Sequence, residues 1–167
     1  QFAKRKRYLM NIIHYLISIP ICIYAHEADH LLITQVVTQG DAAESISIHN
    51  PTDSPIDLSN YYICDDEEYY KMQTEFPNAM APSHFAHGFT ARFPQILISA
   101  GDTLHIVLNE NYSEFYGEDF IPDLVMYGSG ENSMLETDAN SFGLGNDGKI
   151  DESTELIILF KWDGDTE

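Results

Sequence analysis

A run of four carboxylates, Asp65-Asp66-Glu67-Glu68, has the residue types of a metal site. Calcium takes six to eight oxygen ligands, and carboxylates on one loop supply several of them. Adjacent residues of a strand point to opposite faces, so the four side chains converge only if the chain turns here. The run favours a solvated hairpin tip without a cofactor; the alternative prediction is a calcium site formed by Asp65, Asp66, Glu67 and Glu68.

Two histidines three positions apart, His84 and His87, have the spacing with which a helix presents two imidazoles to zinc. Pro82 and Gly88 favour a loop instead, and no glutamate lies between the histidines as in a zinc hydrolase motif. Residues 71–94 are therefore predicted to form an aromatic-rich loop over one end of the domain. Recognition residues concentrate on loops held by a rigid scaffold. The expected ligand surface comprises Tyr69, Tyr70, His84, His87 and Arg92.

No pattern for nucleophilic catalysis is present in the sequence. There is no Gly-x-Ser-x-Gly elbow, and Cys64 has no sequence-marked histidine partner. Carboxylate pairs suited to glycoside hydrolysis occur by chance among 27 acidic residues, so their presence decides nothing. The sequence therefore favours a protein without enzymatic activity of its own.

The charge of the chain is strongly asymmetric, with a formal net value of −19. Four of the eight basic residues lie at positions 4–7, whereas all 27 acidic residues lie from Glu27 onward. From Glu27 the net charge is therefore 4 − 27 = −23. Such a surface repels phosphate backbones, which proteins bind through Lys and Arg, so nucleic acid is not an expected partner.

Residues 1–25 have the pattern of a secretory signal peptide. The basic Lys4-Arg5-Lys6-Arg7 precedes a long apolar run, and Ala25 occupies a plausible cleavage position. Polar residues and a proline within that run disfavour the alternative, a membrane anchor. We expect a mature domain at 26–167, located outside the cell, on the cell surface or in the periplasm, without a stable membrane span. Cys64 is then the sole cysteine, and export without disulfides is typical of a bacterial envelope protein.

Short runs of β-branched and aromatic residues, separated by Gly, Pro and Asn turns, follow one another from residue 31 to the end. Residues 44–50 alternate, with Ile46 and Ile48 on one face, as in a half-buried strand. The last run, 155–162, is apolar on both faces, which is typical of a strand in the middle of a sheet. This pattern predicts an all-β sandwich. Strands are expected at 31–38, 44–50, 61–65, 69–72, 95–98, 103–109, 124–127 and 155–162.

The stretch from 31 to 66 resembles the lamin-tail domain, an immunoglobulin-like β-sandwich. Three segments carry the resemblance: Leu32-Ile33-Thr34-Gln35-Val36-Val37, the strand ending in Asn50-Pro51-Thr52, and Ile56-Asp57-Leu58-Ser59-Asn60-Tyr61-Tyr62. A looser match covers residues 98–107. The family usually has acidic residues where Gln35 and Ser47 stand, so a role for those carboxylates does not transfer to this chain.

In exported bacterial proteins the lamin-tail domain is usually an accessory part of a larger surface or secreted chain. The resemblance therefore implies a non-enzymatic binding or adhesion module with a protein or glycan partner. The alternative is the N-terminal portion of a secreted hydrolase, of nuclease or phosphatase type, with its catalytic residues beyond Glu167. Asp163-Gly164 is also a hairpin-turn signal, so the sandwich is expected to continue past Glu167 with at least one more strand.

Overall fold

The computed structural model describes residues 28–65, 69–71, 89–136, 149–153 and 155–163. These residues are organised as an all-β protein, as predicted. Their helical structure is limited to 3-10 turns at Tyr69–Lys71 and Glu110–Tyr112 and a short helix, α1, at Ser113–Tyr116. No helix in these ranges is long and apolar enough to cross a membrane. The strands are β1 Leu32–Val37, β2 Ser45–His49, β3 Ile56–Asp57, β4 Tyr61–Cys64, β5 Thr90–Arg92, β6 Leu97–Ile98, β7 Thr103–Val107, β8 Leu124–Val125, β9 Leu135–Glu136 and β10 Ile158–Lys161.

Strands β1, β2, β7 and β8 form the first sheet in that order. The predicted inward face of 44–50 is confirmed, because Ile46 and Ile48 are both fully buried. The expectation that the other face lies in water is wrong, because Ser45 and Ser47 are buried beneath Tyr116 and His105, which their hydroxyls contact. Ile46 and Ile48 pair across the antiparallel β2–β7 ladder with Ile106 and Leu104, which face the core as well. β8 runs parallel to β7, so the chain between them crosses over before it re-enters the sheet.

The second sheet has the order β10-β4-β5-β9, and each of its neighbouring pairs is antiparallel. A third, two-stranded sheet pairs β3 with β6. One hydrophobic core joins the two larger sheets, because the first contributes Ile46 and Ile106 and the second contributes Ile63 and Ala91 to the same cluster of buried residues. Each fully buried aliphatic side chain stabilises the fold by about 1.5–3 kcal/mol, so this shared core is the main source of stability.

The buried Asn50 holds the corner at the end of β2. Its Nδ2 donates to the carbonyl oxygens of Ser54, Ile98 and Ser99 at 2.9, 3.1 and 3.0 Å. Its Oδ1 accepts the N–H of Thr52 at 3.1 Å and the Thr52 hydroxyl at 2.7 Å. The Asn50 side chain thus joins the chain at 52–54 to the chain at 98–99. Its amide nitrogen and its amide oxygen are both hydrogen-bonded where water is excluded.

Two predictions for the segment between β4 and β6 are wrong. Residues 69–72 were expected as a strand, but Tyr69–Lys71 forms a 3-10 turn, because the aromatic ring of Tyr69 packs back onto Phe160. The predicted loop 71–94 contains strand β5 near its end, because the backbone of Thr90–Arg92 pairs with β4. The local pattern held a signal, because Phe89, Ala91 and Phe93 alternate with polar residues and are all buried, but the register is specified by the partner strand.

The prediction of a central strand at 155–162, with a further strand expected beyond Glu167, stays a prediction. Among the described residues, strand β10 pairs with β4 in the second sheet, and Leu156 is 46% exposed just before it. Both faces of the strand are covered, because Leu159 packs against the main core while Phe160 packs against a second cluster on the opposite face.

Candidate functional site

The outer face of the second sheet, turned away from the main core, carries a separate aromatic cluster. Alternation along β4 sends Ile63 to the core and Tyr62 to the outer face. The β10–β4 register then places Phe160 opposite Tyr62 and so on the same face. We call the five rings that meet there the aromatic face: Tyr62, Tyr69, Tyr70, Phe160 and Trp162.

The rings of the aromatic face are held against one another. Tyr62 and Phe160 stack with centroids 5.3 Å apart and planes 15° apart. Tyr69 leans on Phe160 at 5.2 Å, and Trp162 lies 6.0 Å from Tyr62. Such contacts contribute about 0.5–1.5 kcal/mol each beyond area burial, so the surface is rigid before any ligand arrives.

The five rings of the aromatic face differ widely in solvent exposure. Tyr62 is 5% exposed and forms the floor, whereas Tyr70 is 61% exposed and stands edge-on to Tyr69 at 6.2 Å. Phe160 and Trp162 are half-buried. The arrangement offers flat apolar ring surface and a projecting phenol, which suits contact with a ligand that has an apolar face and hydroxyl groups.

Arg92 joins the aromatic face from β5. It is the cross-strand partner of Tyr62 on one side and Leu135 on the other, so its side chain leaves the sheet beside Tyr62. Within the described residues the buried Nε of Arg92 has no hydrogen-bond partner. An unpaired buried donor costs about 1–3 kcal/mol. Thr90 occupies the same face opposite Cys64, and its buried hydroxyl likewise lacks a partner in the described ranges.

The structure therefore brings together three of the five predicted ligand residues: Tyr69, Tyr70 and Arg92. His84 and His87 lie outside the described residues. Sequence reasoning missed Tyr62, Phe160 and Trp162 as members of this surface. A signal was present, because residues 155–162 are apolar on both faces, but the β10–β4 pairing that selects the outer face joins positions nearly a hundred residues apart.

Asp65 closes the end of the β4–β5 ladder. Its Oδ1 accepts the backbone N–H of Phe89 at 2.9 Å, while its own N–H donates to the Phe89 carbonyl at 3.2 Å. The other three residues of the predicted calcium site, Asp66, Glu67 and Glu68, lie outside the described residues. Within the described ranges, no three His, Cys, Asp or Glu side chains are gathered as a metal ion would need. One oxygen of Asp65 thus has a structural task.

A polar ladder crosses the outer face of the first sheet. The Ser47 hydroxyl lies 2.9 Å from Nδ1 of His105 and 3.5 Å from Oε1 of Gln35, and His49 Nδ1 lies 3.1 Å from the Thr103 hydroxyl. Gln35 and Ser47, where the lamin-tail resemblance implies acids, are direct cross-strand partners. The contact between Ser47 and His105 could not be predicted from the sequence, because it arises from the register in which β2 pairs with β7. Ser47 is only 4% exposed, so this pair is a sheet contact rather than an accessible nucleophile.

Among the described acidic residues, Glu44 has the pKa that is shifted most strongly. It lies just before β2, is 3% exposed, and one of its oxygens, Oε2, is buried with no partner among the described residues. Burial raises the pKa of Glu44 to about 7; the Ile150 N–H lowers it, as Lys149 does, and Asp41 and Glu152 raise it further. Position parity with Ile46 could have placed this side chain inward from sequence. It belongs to the rim of the core, not to the aromatic face.

No protein-family model matches the chain, and a search of curated proteins finds no match either.

Proposed function

We propose that this chain is an exported, non-enzymatic binding module, an immunoglobulin-like β-sandwich of the lamin-tail type, whose aromatic face binds a glycan partner. The sandwich proposal is supported by two larger sheets that share one core, and by the segments between residues 31 and 62 that resemble the lamin-tail domain. Export is supported by the signal-peptide pattern of residues 1–25. A surface, secreted or periplasmic location follows from that pattern.

The single observation that carries the binding proposal is that the face from which Arg92 leaves the sheet also presents the rings of Tyr70, Phe160 and Trp162, which are exposed or half-buried. A sugar ring presents C–H groups on one face and hydroxyl groups at its edge. Aromatic rings are complementary to the first, because their faces are electron-rich and apolar. A guanidinium donor is complementary to the second, because it satisfies hydroxyl oxygens in a fixed geometry.

The overall charge of the protein narrows the class of glycan that it can bind. With a net charge of 4 − 27 = −23, the mature domain repels polyanions at long range, so a neutral glycan suits it better than a sulfated or phosphorylated one. Arg92 then acts as a hydrogen-bond donor rather than as a counter-ion. A calcium ion at Asp65–Glu68 remains a proposal separate from the glycan contact, because Asp65 already bonds Phe89.

A glycan array probed with the mature domain tests this proposal. We expect binding to neutral saccharides that is lost in Tyr70→Ser and in Arg92→Gln. Leu97→Ser is the matched control, since Leu97 is 67% exposed on β6 and lies off the aromatic face. Melting curves establish that each variant is folded. Equal array signals for Tyr70→Ser, Arg92→Gln and the parent would refute the aromatic face as the binding surface, and capture of a protein by the same face would replace the glycan with a protein partner.

A further inference from the structure

The crossover between β7 and β8 carries a second surface, with a composition unlike the rest of the fold. Residues 110–123 contain no Lys or Arg. They combine three half-buried rings, two exposed apolar side chains and five acids. The rings are Tyr112, Tyr116 and Phe120; the exposed apolar residues are Phe115 and Ile121; the acids are Glu110, Glu114, Glu118, Asp119 and Asp123.

The half-buried rings make this crossover rigid. Tyr116 and Phe120 stack with centroids 4.7 Å apart, and Tyr112 meets Phe120 edge-on at 6.1 Å. The Tyr116 hydroxyl donates to the Ala43 carbonyl at 2.6 Å and lies 3.0 Å from the Ser45 hydroxyl. The crossover is thus fastened to the start of β2, on the first sheet, and the aromatic face belongs to the second.

The chain turns sharply in the middle of this crossover. Gly117 ends α1 with φ 86°, a left-handed conformation that favours glycine. Its N–H donates to the Ser113 carbonyl at 2.9 Å, and its carbonyl accepts the Phe120 N–H at 3.2 Å. The backbone geometry on both sides of the turn is therefore specified by its own hydrogen bonds.

Two large apolar side chains are held in solvent by this rigid frame. Phe115 is 66% exposed, with its ring edge-on to Tyr116 at 4.9 Å, and Ile121 is 84% exposed. A single exposed apolar residue is ordinary on protein surfaces. Phe115 and Ile121 stand on one hydrogen-bonded crossover, so the backbone that carries them loses little conformational entropy when a partner binds. Glu114, Glu118 and Asp119, on the same crossover, are exposed as well.

We propose that residues 110–123 dock a cationic polypeptide surface, with apolar partner side chains on Phe115 and Ile121 and Lys or Arg side chains on Glu114, Glu118 and Asp119. Charge complementarity selects this partner class. The net charge of −19 steers basic proteins toward the chain and steers nucleic acids and anionic membranes away. This inference goes beyond the glycan proposal and uses none of its residues.

A fluorescently labelled twelve-residue peptide of alternating Lys and Leu blocks is the probe, with fluorescence anisotropy as the readout at low and physiological salt. We expect Phe115→Ser combined with Ile121→Ser to weaken binding about tenfold or more, because the apolar contacts are lost. Glu114→Gln, Glu118→Gln and Asp119→Asn together are expected to weaken binding by a similar factor and to flatten its salt dependence.

Two matched controls distinguish a local site from general charge attraction. Leu97→Ser removes an equally exposed apolar residue elsewhere. Asp53→Asn, Asp102→Asn and Glu131→Gln remove three exposed carboxylates outside the crossover. Both controls are expected to bind within about twofold of the parent. Equal loss in the control triple variant would overturn the proposal in favour of net charge alone.

Three further outcomes would also overturn the proposal. One is unchanged peptide affinity in the Phe115→Ser, Ile121→Ser variant. Another is a concentration-dependent dimer in light scattering that this variant abolishes, because the surface would then fit a second copy of the chain. The third is co-flotation with phosphatidylcholine vesicles that depends on the same two residues, because the partner would then be a lipid surface.

Discussion

The backbone N–H of Ile150 donates a hydrogen bond to the carboxyl group of Glu44, while the second oxygen of that carboxyl group is buried without a partner among the described residues. Ile150 is itself 1% exposed, and Lys149 beside it pairs with Asp41 at 3.2 Å. Residues 149–152 are therefore attached to the start of β2 through a carboxyl group that titrates near neutral pH.

Glu44 should make the stability of the fold fall as pH rises from about 4.5 to about 7. Burial raises the pKa of Glu44 from 4.5 to about 7, so the folded chain retains a proton that the unfolded chain releases. The stabilising contribution is complete below the unfolded pKa and is lost through the folded one, a difference of up to about 3 kcal/mol. Glu44→Gln should remove that slope, as measured by urea unfolding at pH 5 and pH 8.

Glu110→Gln is the control for Glu44. Glu110 is fully exposed, and hydrogen bonds from the hydroxyl and the N–H of Ser129 lower its pKa. Its contribution is present above its unfolded pKa and disappears only in more acidic solution, so Glu110→Gln should leave the change between pH 5 and pH 8 as it is in the parent. A parent-like slope in Glu44→Gln would show that Glu44 does not carry this pH dependence.

Asn50→Ala should destabilise the fold by about 3 kcal/mol or more, because several buried polar groups lose their partner at once. The carbonyls of Ile98 and Ser99 are among them, and the corner at Thr52 loses its acceptor as well. The midpoint of urea unfolding measures this loss. Asn111→Ala, at an exposed position, should change the midpoint very little. A similar midpoint for both variants would mean that the Asn50 amide is not essential to the corner.

Tyr116→Phe should cost about 1 kcal/mol, the net value of an ordinary hydrogen bond, because the stack on Phe120 is retained while the bond to the Ala43 carbonyl is lost. Thermal unfolding measures the cost. Tyr112→Phe is the matched control, since its ring also meets Phe120 and no hydrogen bond of its hydroxyl is seen in the described residues. If Tyr112→Phe loses as much stability as Tyr116→Phe, the Tyr116 hydroxyl is not the anchor of the crossover.

The sequence could predict those features whose cause is local. The alternation around Ile46 and Ile48 needs only period-two geometry, and the Asn50 corner needs only a strand stopped by proline. Strand β5 escaped prediction although Phe89, Ala91 and Phe93 alternate with polar residues and are all buried. Gly88 and Pro94 on either side favoured a loop, and the pairing that makes this run a strand is with the distant β4. Trp162 joined the aromatic face for the same reason, through long-range register.

The candidate surface was thus predicted in part. Tyr69, Tyr70 and Arg92 can be predicted from the sequence, because aromatic and basic residues on a connecting segment are suited to recognition. The floor of that surface, Tyr62 with Phe160, could not be predicted in the same way, because an aromatic residue in a strand fits a core face or an outer face equally well by type. Only the three-dimensional pairing distinguishes the two.

Titration of the fluorescence of Trp162 tests the central claim most directly, because Trp162 is the only tryptophan in the chain and belongs to the aromatic face. The probes are neutral hexasaccharides of glucose, mannose and xylose, each added to the mature domain. We predict a saturable emission change with at least one of them, abolished by Arg92→Gln and retained in Leu97→Ser. Emission that stays constant with every saccharide, or a change that survives in Arg92→Gln, would contradict glycan binding at this face.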